Sequence, residues 1–424
     1  ARNAAPADRV RVRLAIADTA GQCLAGLDGL YARALEDAAA DPALRASVQL
    51  RLTWKYLLLD GDPAGAREAA VEAESAAASL GDQDLMAMAL TARARMGRIL
   101  GDPDAEHVLA RAQALESSVL THGARSSAHI LAIRHAIFDD RLAEARARLL
   151  ALLPSVERAG MAEDVVEVVR SLAEAEASWG RCAMALSHAR RALALSAEAG
   201  LSPGPAWYSA ALAESAGGSF QRAADHARRG VRSSEEEQDQ IFLCRNLHAL
   251  GRVQLITGRP ARAVRTLERI REQTVGRLVE DPSVLRWRED LAEALVATGD
   301  PAGAAALIAE VRPVAERLGR TSVLAALDRA HGLQLAATGD VGTAAHLLDD
   351  VITRCATLEL PLEQGRTLLA AARVEHARGR PDAAAAAHRT AVGVFTRVGA
   401  APWLALAAKT PHSQDGRRIT AAAG

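Results

Sequence analysis

The sequence predicts an all-α fold, a solenoid of about ten helical hairpins, and three observations carry that expectation. Hinge residues recur about every 40 positions along the 424 residues. Each interval holds two helix-like patterns, with small residues at fixed distances on either side of the hinge. Alternating β-branched runs bounded by turns, the signature of strands, are missing.

In chain order the hinges are Gly21, Gly61, Gly101, Asp140, Gly180, Gly218, Gly258, Gly299, Gly339 and Gly379. Successive intervals are 40, 40, 39, 40, 38, 40, 41, 40 and 40 residues, a period that marks a repeat array. Gly299-Asp300-Pro301 shows the logic of the hinge. Glycine stops one helix in a left-handed conformation, and proline suits the first turn of the next. Five residues after the hinge stand Gly26, Ala66, Ala145, Ala185, Ala223, Ala263, Ala304, Ala344 and Ala384. Seven before it stand Ala94, Ala173, Ala211, Gly251, Ala292, Gly332 and Ala372. Two antiparallel helices approach closely only where side chains are small, so these positions are the expected contact. Leu14, Trp54 and Ile133 break the rule seven before the hinge, and Glu106 breaks it five after, where a one-residue slip to Ala105 restores a small side chain. The N-terminal hairpins are therefore expected to be the less regular ones. The loop SPGPA and Gly217-Gly218-Ser219 make residues 201–219 the expected bend. The array is expected over residues 1–408, with 409–424 a flexible C-terminal tail. No single hairpin can bury its apolar face, so each must stack on its neighbours.

Composition narrows the function. Half the residues are hydrophobic, 24% are charged, only 3% are aromatic, and the net charge is −1. That balance argues against bulk nucleic-acid binding and membrane anchoring, and no apolar run reaches the roughly 18 residues of a membrane span. No signal peptide is visible, and a start at Ala1 reads as a piece of a longer chain. Cys23, Cys182, Cys244 and Cys355 are far apart and form no CxxC pair, so they read as small buried hydrophobes in a reducing cytoplasm.

Catalytic and metal motifs are weak. The sequence contains no HExxH, no HxxxH and no GxxxxGK[ST] phosphate loop. His129 and His135, six apart, fall on different helix faces. GLSPG at 200–204 matches GxSxG around Ser202, but a helix pattern precedes it and Pro203 and Pro205 follow, whereas a nucleophile elbow needs a strand before and a helix directly after. The acidic pairs and the run Glu235-Glu236-Glu237 read as solvated surface. The chain is expected not to be an enzyme and to bind no metal or cofactor.

Spacing and small-residue offsets resemble those of the tetratricopeptide repeat, with a longer period. The resemblance implies a right-handed superhelix whose concave face is lined six, ten and thirteen residues before each hinge. Those positions include Arg51, Lys55, Arg95, Arg134, Arg170, Tyr208, Arg245, His248, Arg252, Arg286, Arg329, Arg366 and Arg373, interrupted by Glu167, Glu174, Glu289 and Glu293. The candidate partner-binding residues are Arg134, Arg170, Tyr208, Arg245, His248, Arg252, Arg286 and Arg329. A basic stripe in a near-neutral chain suits an acidic or polar guest. The competing reading pairs these arginines with neighbouring acids, as Arg170 and Glu174 already do at (i, i+4). The scarce aromatics carry the same two readings. Trp54, Tyr56, Trp179 and Trp287 fill gaps between alanine-lined helices, or Trp207-Tyr208 helps form a ligand pocket.

Two segments, 41–73 and 361–407, resemble the helical-repeat region of the large ATP-binding LuxR-family regulators of actinobacteria. Pro361, Glu363, Arg366, Thr367, Leu368, Gly379, Phe395, Gly399, Ala400 and Trp403 carry the likeness, and Gly365 departs from it, the family more often having alanine there. The arginine bias, with only Lys55 and Lys409 as lysines, agrees with such a source. The resemblance implies a cytoplasmic sensor or scaffold module that binds a small-molecule effector or a protein or peptide partner on its concave face. It also implies that ATP and DNA binding belong to further domains, with no nucleic-acid contact by this chain. A free-standing scaffold for protein assembly is the alternative, and a homo-oligomer is left open.

Overall fold

The structure, a computed structural model, describes residues 4–19, 27–118, 123–274 and 280–409. It is an all-α, right-handed superhelical solenoid of tetratricopeptide-like hairpins. Among the described residues there are 22 α-helices, one π-helical turn and no strand. Ten hairpins run from Pro6–Thr19 with Asp28–Asp37 to Pro361–Ala377 with Pro381–Val398, and Ala401–Lys409 closes the array. Gly21 and the tail from 410 onward lie outside the described residues.

The hinges act as helix stops. Gly61, Gly101, Asp140, Gly180, Gly258, Gly299, Gly339 and Gly379 all have positive φ, between 59° and 99°. Seven of them close the same bond, in which the next residue's N–H reaches back over the last helical turn, as Asp300 does to the Leu295 carbonyl at 2.9 Å. Asp62, Asp300 and Asp340 then cap the following helices, accepting from backbone N–H groups two or three residues on. Gly218 differs, with φ −103°. There the Glu214 carboxylate accepts the Ser219 N–H at 2.9 Å in place of a backbone carbonyl. A second set of left-handed residues, Gly81, Gly160, Gly200, Gln238, Gly319, Glu359 and Gly399, ends the second helix of seven hairpins. The period is thus two similar stops, one within each hairpin and one between hairpins.

The two helices of a hairpin form two layers. First helices are the more buried layer in the middle of the array: Ala162–Ser178 buries every residue from Asp164 to Ala177 except Glu167. Second helices bury one stripe, as Cys182–Glu198 does with Cys182, Ala185, Ala189, Ala192 and Ser196. The small positions are where the layers meet. Ala66, Ala145, Ala185, Ala223, Ala263, Ala304 and Ala344 are fully buried. A Cβ on Gly251 would lie 2.5 Å from Leu267 Cδ2. In the third hairpin Ala105 makes the contact and Glu106 turns outward to His135 and Arg98.

The superhelix is wound tightly enough for its turns to touch. The Glu280 N–H donates to the Ile99 carbonyl at 3.0 Å. Trp179 Nε1 reaches Glu359 at 3.1 Å across 180 residues, and Trp403 Nε1 reaches the Ser215 carbonyl at 3.0 Å across 188. One turn therefore takes roughly four and a half hairpins of 40 residues. A four-charge ring staples the turns together. Arg98 Nη2 donates to Asp139 at 2.6 Å and Arg98 Nε lies 2.7 Å from Asp281, while Arg320 bonds Asp281 and Asp139, each at 3.0 Å. Asp281 is fully buried and Arg98 nearly so.

Candidate functional site

The inner face divides into two territories. The C-terminal one is a filled ring of charges. Arg366 lies 2.8 Å from Asp290 and 2.8 Å from Glu293. Arg329 bonds Glu293 and Glu363, each at 2.7 Å. Arg252 bonds Glu363 and lies 3.6 Å from Asp290, closing a cycle of three arginines and three acids. His248 Nε2 adds a 3.1 Å contact to Asp290. The ring ties four first helices, Gln240–Ile256, Arg288–Ala297, Thr321–Ala337 and Pro361–Ala377. Burial opposes ionisation of Asp290 and Glu363. The surrounding arginines outweigh it and hold both carboxyls well below the ordinary range. Arg286 stands beside the ring, 2.9 Å from Glu289 and 3.1 Å from the Ser322 hydroxyl.

The N-terminal territory is hollow. A cavity of about 890 Å³ lies between the turns, large enough for a drug-sized guest. Leu57, Ile99, Ile130, Leu131, Ile241 and Val284 supply apolar wall, with Trp54, Phe138 and Phe242 as aromatic faces. Arg95, Arg98, Arg125, Arg134, Arg170 and Arg245 supply charge. The guanidiniums lie over rings: Arg95 and Arg125 over Trp54 at 4.9 and 5.4 Å, Arg134 over Phe138 at 5.3 Å, and Arg245 over Phe242 at 5.5 Å and Tyr208 at 5.6 Å.

These arginines are unequally neutralised. Arg170 bonds Glu167 and Glu174, and Arg134 bonds Glu174 at 2.9 Å. Among the described residues Arg245 has Glu174 as its one carboxylate partner, at 3.9 Å. Arg95 donates to the Arg125 carbonyl at 2.8 Å and has no carboxylate at ion-pairing distance among the described residues. Burial lowers the Arg95 guanidinium to about 10, with Arg134, Arg125 and Arg170 adding to the effect against Glu167. Burial and Arg134 likewise lower Arg245. Burial opposes the charge on Glu167, yet Arg170 and Arg134 hold its carboxyl at about 2.

Of the residues expected on the concave face, Arg95, Arg134, Glu167, Arg170 and Arg245 line the cavity, and Tyr208 packs edge-on to Phe242. His248, Arg252, Arg286 and Arg329 lie in or beside the charge ring. Trp54, Arg98, Arg125 and Phe138 line the cavity although no spacing rule selected them. Trp54 is there because Tyr56–Asp60 is a π-helical turn, which adds one residue before the hinge. Thr53 then takes the small buried position, and Trp54 takes the inward one that Arg95 and Arg134 hold in the next two hairpins.

Ser202 lies in the loop before the helix Gly204–Gly217, bonded to Glu237, with helix rather than strand before it. Among the described residues no group of three or more His, Cys, Asp or Glu is placed to hold a metal ion. No helix of the described residues is long and apolar enough to cross a membrane.

No protein-family model matches the chain, and no curated protein does. Solved structures do. A Rap protein complexed with competence and sporulation factor aligns at TM-score 0.64 with 12% identity, covering 84% of this chain and 99% of that one. A hetero-tetramer of the APC/C aligns at 0.50 with 11% identity, covering 99% and 90%. A signal transduction ATPase with a tetratricopeptide repeat sensor from Pyrococcus horikoshii aligns at 0.45 with 14% identity, covering 85% and 55%. The first two likenesses bear on the fold: the chain is a tetratricopeptide-like helical-repeat solenoid.

Proposed function

We propose that the chain is a non-catalytic, cytoplasmic sensor module of a bacterial LuxR-type transcription regulator, and that its effector, a small molecule or short peptide, occupies the cavity between the turns. The hollow N-terminal territory carries this reading: it combines an apolar wall with incompletely neutralised arginines, while the C-terminal territory is filled. The lining comes from both turns, from Trp54 and Arg95 in one and Val284 and Leu285 in the next. An occupant that contacts both would favour one winding over another, and a two-state regulator needs such a differential contact. The Rap structure, described in complex with competence and sporulation factor, is a ligand-bound example of the fold. In such a regulator, nucleotide switching and DNA binding belong to other domains.

The test is a thermal-shift screen of metabolites and short peptides, with each hit repeated on Leu201→Trp, a substitution that fills part of the cavity lining. Hits that raise the melting temperature of the native chain and lose their effect on the variant support the reading. Hits equally strong on both proteins place the ligand elsewhere. The second reading, a free-standing assembly scaffold, rests on the likeness to the APC/C hetero-tetramer and expects protein partners rather than cavity ligands.

A further inference from the structure

We propose that the guest of this cavity is an amphipathic oxyanion, a carboxylate or phosphate on an apolar body, with its anionic group between Arg95, Arg134 and Arg245. The inference rests on the cavity being the effector site and specifies the chemistry that site reads.

Charge counting at the cavity wall carries it. Arg98 is committed to Asp139 and Asp281, Arg125 pairs with Glu163, and Asp18 is held by Arg51 at 2.7 Å. Removing those pairs leaves four guanidiniums, Arg95, Arg134, Arg170 and Arg245, against two carboxylates, Glu167 and Glu174. The remaining acid in the lining, Glu237, is bonded to Ser202 and makes no ion pair with any of the four among the described residues. The excess is about two positive charges along one wall of the cavity. Uncompensated buried charge is costly, and a charge-assisted bond to an oxyanion relieves that cost.

Contrast within the same molecule sharpens the point. The C-terminal ring of Arg252, Arg329 and Arg366 meets Asp290, Glu293 and Glu363, three against three. The same helix layer therefore neutralises its arginines where it is packed solid and leaves them in excess where it is hollow. Arg95 and Arg245 also keep their guanidiniums over aromatic rings, which orient a cation without consuming its hydrogen bonds. The apolar wall of Leu57, Ile241 and Val284 gives the guest's body a place that a free inorganic ion would leave empty.

The test uses the full chain and five probes: octanoate, octyl phosphate, inorganic phosphate, octanol and octylammonium. Calorimetric titration and tryptophan fluorescence are the readouts, since Trp54 lines the cavity. Octanoate or octyl phosphate should bind, and octanol and octylammonium should bind at least tenfold more weakly. Which of the two anions binds tighter separates a carboxylate guest from a phosphate one. Arg95→Met and Arg245→Met should each weaken the anion at least tenfold, while Arg190→Met, on the exposed outer layer, should leave it unchanged. Without ligand, the Arg95 and Arg245 variants should melt no lower than the native chain, because each removes excess buried charge. Equal binding of octanol or octylammonium overturns the oxyanion proposal and leaves the cavity an effector site of other chemistry. Binding of inorganic phosphate as tight as octyl phosphate overturns the amphipathic half. Silence from all five probes overturns the proposal, and the metabolite screen then decides separately whether the cavity binds an effector at all.

Discussion

Arg98 and Asp281 meet at 2.7 Å across the gap between successive turns, one 3% exposed at its side chain and the other 0%. The Arg98 Nε–H points off the line to the carboxylate, so this is charge attraction more than a hydrogen bond. Direct bonds from Arg320 to Asp281, and from both arginines to Asp139, complete the ring. Arg98 also faces the cavity, which makes the staple and the site neighbours through one side chain.

Asp281→Ala should therefore cost far more than loss of a surface pair. It strands Arg98 and Arg320 with Asp139 as shared partner, and breaking a buried ion pair costs about 3–5 kcal/mol. Glu157→Ala, which removes the exposed partner of Arg191, should cost less than about 1 kcal/mol. Urea unfolding measures both, and small-angle scattering should show a larger radius of gyration for Asp281→Ala as the turns part. An unchanged radius would mean that the ring does not hold the turns together.

The C-terminal ring predicts acid sensitivity of a definite sign. Asp290 and Glu363 have folded-state values well below their ordinary ones. Their stabilisation is thus complete above the unfolded carboxylate range, near pH 4, and is lost as the pH falls below it. The melting temperature should be flat with respect to these groups from pH 7 to 5 and fall below about pH 4. Glu363→Gln should lower stability near pH 7 by about 3–5 kcal/mol and make the acid limb shallower. An acid limb as steep as that of the native chain would contradict the assignment.

Asp239 works in the opposite direction. Its Oδ1 caps the helix Gln240–Ile256, accepting from Ile241 at 3.0 Å and Phe242 at 2.9 Å, while Oδ2 is buried with no hydrogen-bond partner among the described residues. Burial pushes its carboxyl up to about 6. The cost of charging it is absent below the unfolded value near 4, grows from there to about pH 6, and is complete above that. Asp239→Asn keeps the capping oxygen and removes the charge. It should stabilise the chain at pH 8 by roughly 1–2 kcal/mol and be near neutral at pH 4. Equal effects at both pH values would show that Asp239 is not carrying a buried charge.

The sequence made the repeat legible because the hinge is a local event. A left-handed stop needs glycine or a tolerant polar residue wherever it occurs, and the contact opposite it needs a small side chain. Gly218 shows the limit: its glycine kept the period while the bond pattern was handed to Glu214. The tightness of the winding was illegible because contacts such as Trp179 with Glu359 join residues 180 apart with no periodic signature. The division of the inner face was illegible for the same reason. Arg252 and Arg245 both fall on the expected inner stripe, and it is Glu363 and Asp290, from later hairpins, that saturate one of them. Gly365, a departure from the regulator-like pattern, has a local cause, since a Cβ there would lie 2.3 Å from Phe395 Cε1.

Trp54 gives the most direct test of register. The π-helical turn Tyr56–Asp60 behaves as a one-residue insertion: Asp62 N–H returns to the Tyr56 carbonyl at 2.8 Å, one residue further back than in the other hinges. Residues before such a turn keep the orientation they would have in a plain α-helix one residue shorter. Deletion of Leu59, the least buried leucine of the turn, should therefore regularise the helix and leave Trp54 facing the cavity. The expected cost is about 1 kcal/mol for the lost half-buried side chain. Tryptophan emission should match the native chain, and a parallel deletion in a Trp54→Phe background should give the same stability change. Deletion of Gln334 from the regular helix Thr321–Ala337 should instead rotate everything before it by about 100° and collapse that hairpin. If the Leu59 deletion is as damaging as the Gln334 deletion, the π turn is not an insertion and the placement of Trp54 has another cause.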